Sequence, residues 1–315
     1  MGAFLQEWLN GVAKKKVRQS TWDSYEYIVR QHLVPELGKR ALVKLSPRDV
    51  QAFLNSRSEL RLSPRTQQYI RAVLRMALGQ AMKWGLVHQN VATLVEPAKG
   101  PARQIEPLDA DQAARLLAGA KGHSQEHLFT AALGTGLRKG ELLGLRWRDV
   151  DLDTGRIQVR YALEYCNGRP WRFVEPKSES GKRTVPLIGP AAAALRAQYA
   201  RVKALKLKAE PGVWQEHDLV FPSEIGTPIH PTNVNREFKK LLARAGLPHE
   251  HRVHDLRHST ATYLLAAGID PRIVMAIMGW SQVTMLARYQ HVLDSMLSDA
   301  AGRLEAVFPR PAYAT

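Results

Sequence analysis

A chain of 315 residues exceeds one small core and suits two domains, and no apolar run reaches the roughly 18 residues that span a bilayer. A single cysteine, Cys166, excludes an internal disulfide framework and a multi-cysteine metal site, and fits a reducing, cytoplasmic setting. The formal charge of +16 suits a polyanionic partner, and residues 1–95 concentrate it, with 15 Lys and Arg against 6 Asp and Glu.

The first stretch, "MGAFLQEWLNGVAKKK", carries its lysines after the apolar residues, the reverse of a secretory signal. No basic amphipathic segment with exposed aromatics stands apart from the core pattern, so a membrane partner is not expected. Helical spacing continues to about residue 95. "FLQEWLNGVA" is the first run; "STWDSYEYIVRQHLV" opens on a Ser/Thr cap and should stop before Pro35. "SPRDVQAFLN" begins with a capping serine followed by proline at the first helical position, and "SPRTQQYIRAVLRMALGQAMKWG" repeats that opening. The last run sets Ile70, Val73, Leu74, Ala77, Leu78, Ala81 and Trp84 along one stripe, with Gly85 closing it and Arg65, Gln68, Arg71 and Arg75 elsewhere on its surface. Residues 1–95 are therefore read as a basic four-helix bundle.

Residues 96–107, "EPAKGPARQIEP", are rich in Pro, Gly and charge and read as a linker to a second domain over 108–315. Helical runs lead to "LRKGELLGLRW". Strand-like pieces follow in "RIQVRYAL", "RPWRFVEPK" and "RTVPL", and helices resume from "PAAAALRAQYARVKALKLKA" onward. "DVDLDTG" imitates a calcium loop, but Thr154 and Arg160 stand where such a loop needs Gly and Glu, so it reads as a polar turn between helix and strand. The expected class is mainly α with a small antiparallel sheet in the C-terminal domain.

Three stretches hold chemistry. "TGLRKGELLGLRW" places Arg138 and Glu141 three apart on one helical face, "HDLRH" does the same for His254 and Arg257, and "MGWSQVTMLARYQHV" supplies Trp280 and Tyr289. Singly, each has a plainer explanation: a surface ion pair, a solvated face, a helix stop with a core indole. Together, and with "EPKSESGKRTVPL", their order and spacing resemble the tyrosine recombinase (phage integrase) family over essentially the whole chain.

That resemblance implies an N-terminal core-binding (SAM-like) bundle and a tyrosine-recombinase catalytic domain. It implies that Arg138 and Arg257 hold the scissile phosphate, with His254 beside it and able to accept or relay the nucleophile's proton, Lys177 arriving on a strand hairpin as general acid, and Tyr289 as nucleophile. Trp280 takes the place of a frequent family histidine; its indole N–H donates but shuttles no proton, which points to packing and phosphate bonding. Glu141 and Asp255 would support the arginines and histidine, His291 would be a local hydrogen-bonding residue, and Arg183 a phosphate anchor on the hairpin's return strand. Arg65, Gln68, Arg71 and Arg75 would meet the DNA.

Guanidinium forks match paired phosphate oxygens and stay charged, so they can neutralise a phosphodiester without metal, cofactor or ATP. The implied activity is site-specific recombination through a 3′-phosphotyrosyl link. Its partners would be duplex DNA with core sites, a homotetramer and an accessory directionality factor. The alternatives are a type IB topoisomerase and a catalytically silent DNA-binding protein on the same scaffold; a metal-dependent nuclease lacks its carboxylates. The final run sets Leu293, Met296, Leu297, Ala300, Leu304 and Val307 at helical spacing, and by resemblance docks into a neighbouring subunit. Integrases of this kind often carry a further N-terminal arm-binding domain; this sequence starts directly at the basic bundle, so that domain is expected to be either naturally absent or removed.

Overall fold

The computed structural model describes residues 1–97, 100, 106–166, 169–176 and 178–289. They group into two compact units, one drawn from 1–103 and 165–170, the other from 104–164 and 171–315.

The first unit is helical. Helix α1 covers residues 2–16 with a π-wound middle (Trp8–Ala13), and α2 covers 19–37, π-wound at Val29–Leu33. Helix α3 is Pro47–Glu59 and α4 is Pro64–Lys83. The stop expected before Pro35 does not occur. The chain is already π-wound upstream and re-enters α geometry at Val34–Leu37, where proline sits in the first turn and its missing N–H is not needed. The Ser/Thr cap expected for α2 is not made, because the helix begins at Gln19 with Arg18 at its N-cap and Ser20 and Thr21 inside its first turn, whereas the openings of α3 and α4 follow the sequence. Ser46 Oγ accepts from the Asp49 backbone N–H at 3.2 Å while Asp49 Oδ2 accepts from the Ser46 N–H at 3.1 Å, and Ser63 Oγ accepts from the Thr66 N–H at 3.2 Å.

The α4 stripe faces the core from Ile70 to Ala81, packed against Leu5, Leu9, Val29, Leu33 and Leu54. Trp84 departs from the stripe: α4 ends at Lys83, so the indole lies past the last turn, 40% exposed, with its edge on Phe4 at 6.1 Å.

The second unit contains helices α5 (Ala110–Ala120), α6 (Glu126–Thr135) and α7 (Lys139–Leu143), then strands β1 (Val150–Asp151), β2 (Arg156–Val159), β3 (Ala162–Glu164), β4 (Arg172–Val174) and β5 (Arg183–Pro186). Helices α8 (Gly189–Lys208), α9 (Pro231–Arg244), α10 (Val253–Ala266) and α11 (Pro271–Met278) follow, and a 3-10 helix covers Val283–Tyr289. Strands β1, β2 and β5 make an antiparallel sheet in that order, with Val150 opposite Ile157 and Ile157 opposite Val185; β3 and β4 pair separately.

Two strand expectations are corrected here. "RIQVRYAL" divides at Arg160–Tyr161 between the two sheets, and "DVDLDTG" is more than a turn, because its second and third residues, Val150 and Asp151, form β1. The Asp151 carboxylate accepts from the N–H groups of Asp153 and Thr154 (3.0 and 2.9 Å), closing the β1–β2 hairpin. Among the described residues no helix is long and apolar enough to cross a membrane.

Helix α10 organises the core of this unit. From Val253 to Ala261 every residue except His254 is buried, so the helix meets neighbours on nearly all sides. Its small polar residues are tied down. Ser259 Oγ accepts from the Leu108 N–H at 2.8 Å, and the Thr260 hydroxyl donates to Leu133 O at 2.7 Å. Nearby, Phe129 of α6 packs on Phe238 of α9 with centroids 5.4 Å apart.

Candidate active site

One turn collects the expected site. Helix α11 ends at Met278, and Gly279 caps it with φ of +62°, a left-handed conformation that turns the chain back. A Cβ at this position would stand 2.8 Å from Ser180 O and 3.0 Å from the Arg183 guanidinium, so only glycine fits without displacement. The two consecutive carbonyls this turn exposes receive two arginines. Arg138 Nη2 donates to Gly279 O at 3.1 Å, and Arg257 Nη2 donates to Met278 O. Arg257 Nη1 also donates to Gly136 O at 2.6 Å. The guanidinium groups expected at the phosphate, from opposite ends of the unit's sequence, thus converge on one peptide segment.

Beneath them lies Glu141. Its Oε1 accepts from Arg138 Nη1 at 2.8 Å and from Arg183 Nη1 at 3.1 Å; its Oε2 accepts from Arg183 Nη2 at 2.8 Å and from the Arg138 backbone N–H at 2.9 Å. Burial alone would push this carboxyl up. The hydrogen bonds and charge of Arg183, followed by those of Arg138, outweigh burial and hold it down at about 2. Arg183 is the chief correction to the expected set. Its side chain is 5% exposed and turned inward onto Glu141, with Nε donating to Ile277 O at 2.7 Å, so it holds the site from below and is no surface phosphate anchor. Neither is it on the return strand of a sequential hairpin, because β5 pairs with β2 while β3–β4 intervene.

Three cations around one carboxylate leave the site electropositive. The Arg257 guanidinium, 3% exposed, is pushed down by burial and by the charges of Arg138 and Arg183 to about 9, still cationic at neutral pH. Arg138 differs in keeping 40% of its side chain exposed. Arginine has five N–H donors, so both guanidinium groups retain capacity after these contacts.

Tyr289 closes the site. Its ring stacks on Trp280 with centroids 5.4 Å apart and 26° between planes, and it is 3% exposed. Burial pushes the hydroxyl up to about 12, against the opposing charges of Arg257 and Arg288. The hydroxyl meets His258 Nδ1 at 2.6 Å. His258 was missed in the sequence, although "HDLRH" contains the signal: it stands four residues after His254, one turn along the same face of α10. Their rings meet edge to face at 5.1 Å. Burial, then the charges of His254, Arg288 and Arg257, push His258 down to about 4. His254 is exposed, and partial desolvation and the charge of Arg257 lower its imidazole as well. Asp255 is buried and accepts from the Arg252 N–H at 2.8 Å, which fastens the start of α10.

The remaining expected residues divide. Arg65, Gln68 and Arg75 are exposed on α4, whereas Arg71 donates to the carbonyls of Ala92 and Thr93 (2.9 and 3.3 Å) and braces its own unit. Lys177, His291, the amphipathic run from Leu293 to Val307 and most of the 96–107 linker lie outside the described residues. Among the described residues no group of three His, Cys, Asp or Glu gathers to hold a metal.

Residues 106–296 match the phage integrase family profile, and residues 1–57 match the phage integrase N-terminal SAM-like domain. A XerC-like tyrosine recombinase of Caldanaerobacter subterraneus subsp. tengcongensis is 27% identical, with 98% of this chain and 83% of that protein covered. The Tn1549 transposon integrase in complex with transposon right end DNA superposes with a TM-score of 0.80 at 23% identity, covering 95% of this chain and 99% of that one. A lambda integrase tetramer bound to a Holliday junction gives 0.69 at 18% identity, with 91% and 76% covered. At these identities the structural likeness speaks for the fold.

Proposed function

This chain belongs to the phage integrase family of tyrosine-type site-specific recombinases, and from that premise we propose that it cuts and rejoins duplex DNA at specific core sites through a link between Tyr289 and a 3′-phosphate. The observation that carries this reading is the convergence of Arg138 and Arg257 on the adjacent carbonyls of Gly279 and Met278, one residue from Trp280, on which Tyr289 stacks.

A phosphodiester between the two guanidinium groups is drawn toward them as its non-bridging oxygens gain charge in the transition state. Glu141, itself gripped by Arg183, and Gly279 O hold Arg138 in place, so little reorganisation is needed when the phosphate arrives. His254 adds a neutral imidazole at the exposed edge. Trp280 orients the phenol ring by stacking. Lys177 serves as general acid for the departing 5′-oxygen, a poor leaving group without a proton. The phosphotyrosyl bond keeps the energy of the bond it replaced, so a 5′-hydroxyl from a second DNA completes the exchange without ATP, and the arginines supply the charge that a metal would.

Exposed Arg65, Gln68 and Arg75 contact the duplex outside the reacting phosphate. The lambda integrase tetramer on a Holliday junction supports a homotetramer on paired sites. A directionality factor and action on DNA in the cytoplasm complete the reading.

The test is a library of nicked suicide duplexes with randomised cores, incubated with the full chain in EDTA. A covalent protein–DNA complex that disappears in Tyr289→Phe is expected. Absence of any complex, persistence of it in Tyr289→Phe, or a strict need for divalent cation overturns the reading.

A further inference from the structure

His258 has no part in the chemistry set out above, yet it is the side chain hydrogen-bonded to the expected nucleophile. Both groups are buried, at 6% and 3% exposure, and their polar atoms are 2.6 Å apart. A phenol so shielded from water must release its proton to the protein as it attacks. His254 stands one turn earlier on α10 and meets the His258 ring, whereas the contact to the hydroxyl itself is made by His258. Helix α10 holds His258 firmly, since Arg257, Ser259 and Thr260 on either side of it are each anchored by hydrogen bonds.

Resting on the phosphotyrosyl reading, we propose that His258 takes the phenolic proton as Tyr289 attacks the scissile phosphate and returns it when the protein–DNA link is broken. In the first step the Tyr289 oxygen bonds to phosphorus, the bond from phosphorus to the 5′-oxygen breaks, and the phenolic proton moves to His258 Nδ1. The 5′-oxygen receives its own proton from the general acid, Lys177. In the second step an incoming 5′-hydroxyl gives its proton back to Lys177 as its oxygen bonds to phosphorus. The bond to Tyr289 then breaks, and imidazolium His258 protonates the departing phenolate. Nothing is consumed over the cycle.

At rest the transfer runs uphill, because the imidazole lies at about 4 and the phenol at about 12. Bonding to phosphorus removes the basicity of the phenol oxygen, so the proton becomes acidic as the reaction advances. The bound phosphodiester also brings a negative charge that offsets the cations depressing His258. At rest Tyr289 is therefore neutral and His258 unprotonated, the two states from which the transfer starts.

The experiment uses the full chain and the nicked duplexes above in single turnover, comparing wild type with His258→Gln. The glutamine variant is expected to bind DNA normally and to form the covalent complex about 10²–10³-fold more slowly, with religation slowed alike. Replacing the 5′-bridging oxygen by sulfur, which departs without a proton, should rescue Lys177→Ala and leave His258→Gln slow. Equal or faster cleavage by His258→Gln overturns the proposal, because the histidine would then merely restrain the ring. Should the variant not fold, the histidine ¹⁵N spectrum of the wild-type protein decides: an unprotonated Nδ1 in His258 is expected, and an Nδ1–H donating to Tyr289 overturns it. A wild type that yields no Tyr289-dependent complex sinks the phosphotyrosyl reading itself, in an arm that involves no His258 variant.

Discussion

On α4 of the first unit, Arg65 and Arg75 stand exposed above a core of Ile70, Val73 and Leu74; in the second unit, Arg183 and Arg257 lie inside, at 5% and 3% exposure. The first arrangement costs little, since water solvates the charges and the core beneath stays apolar. Among the described residues of that unit the buried arginine is Arg57, paired with Glu36 at 2.7 Å and packed on Phe53. The second arrangement is expensive, because a buried cation must be compensated by a carboxylate or by oriented carbonyls. Glu141 and the carbonyls of Gly136, Gly181, Ile277 and Met278 do this, and they fix the guanidinium groups more tightly than water would. Exposed cations keep many orientations in water; buried, braced ones are held in one.

Glu141→Gln should disturb this contrast most. It leaves buried Arg183 without its charge partner, and a loss of about 3–5 kcal/mol in urea unfolding is expected, together with loss of cleavage. The pH dependence has a definite sign. The Glu141 carboxyl is depressed from 4.5 to about 2 in the folded protein, so its stabilisation is fully present above 4.5 and is lost as pH falls toward 2. That window is worth about 3 kcal/mol, and the acid side of the stability curve should flatten in the variant. A cost no greater than that of a surface substitution would break the contrast.

Gly279→Ala is next. A left-handed alanine with its Cβ 2.8 Å from Ser180 O should cost about 1–3 kcal/mol in thermal unfolding. Cleavage should fall further than binding, because the carbonyl that receives Arg138 shifts. In the first unit, Ser46→Ala removes one capping hydrogen bond of α3 and should cost about 1 kcal/mol, with cleavage chemistry unchanged once DNA is bound. The smallest stability effect belongs to Arg65→Ala and Arg75→Ala, within about 0.5 kcal/mol. Each should instead lower the slope of log affinity against log salt by about 1. Arg71→Ala should reverse this pattern, lowering stability through the lost carbonyl contacts of Ala92 and Thr93.

Legibility followed the same division. The α4 stripe was readable because burial on a helix repeats every 3.6 residues, and it failed only at Trp84, past the last turn. The starts of α3 and α4 were readable because a serine cap followed by proline acts within four residues. "RIQVRYAL" was misjudged as one strand, because strand propensity does not say where a chain leaves one sheet for another. In the site, Arg138, Arg257 and Tyr289 were recognisable from their motifs, whereas the inward turn of Arg183 and the grip of His258 on Tyr289 were not. Arg183 and Arg65 are the same residue type in charged surroundings, and only the burial of one by α11 and Glu141 separates them.

Near neighbours and composition set the α4 stripe, the serine caps of α3 and α4, the basic bias of the first 95 residues and the residue types available for phosphate chemistry. The tertiary structure alone decided which cation is buried, which carbonyl each guanidinium meets, and which histidine faces the phenol. Those outcomes rest on contacts between residues far apart in the chain and on the water such contacts exclude. Desolvation and paired charge, the two forces that set the chemistry of this site, exist only once the distant segments have come together.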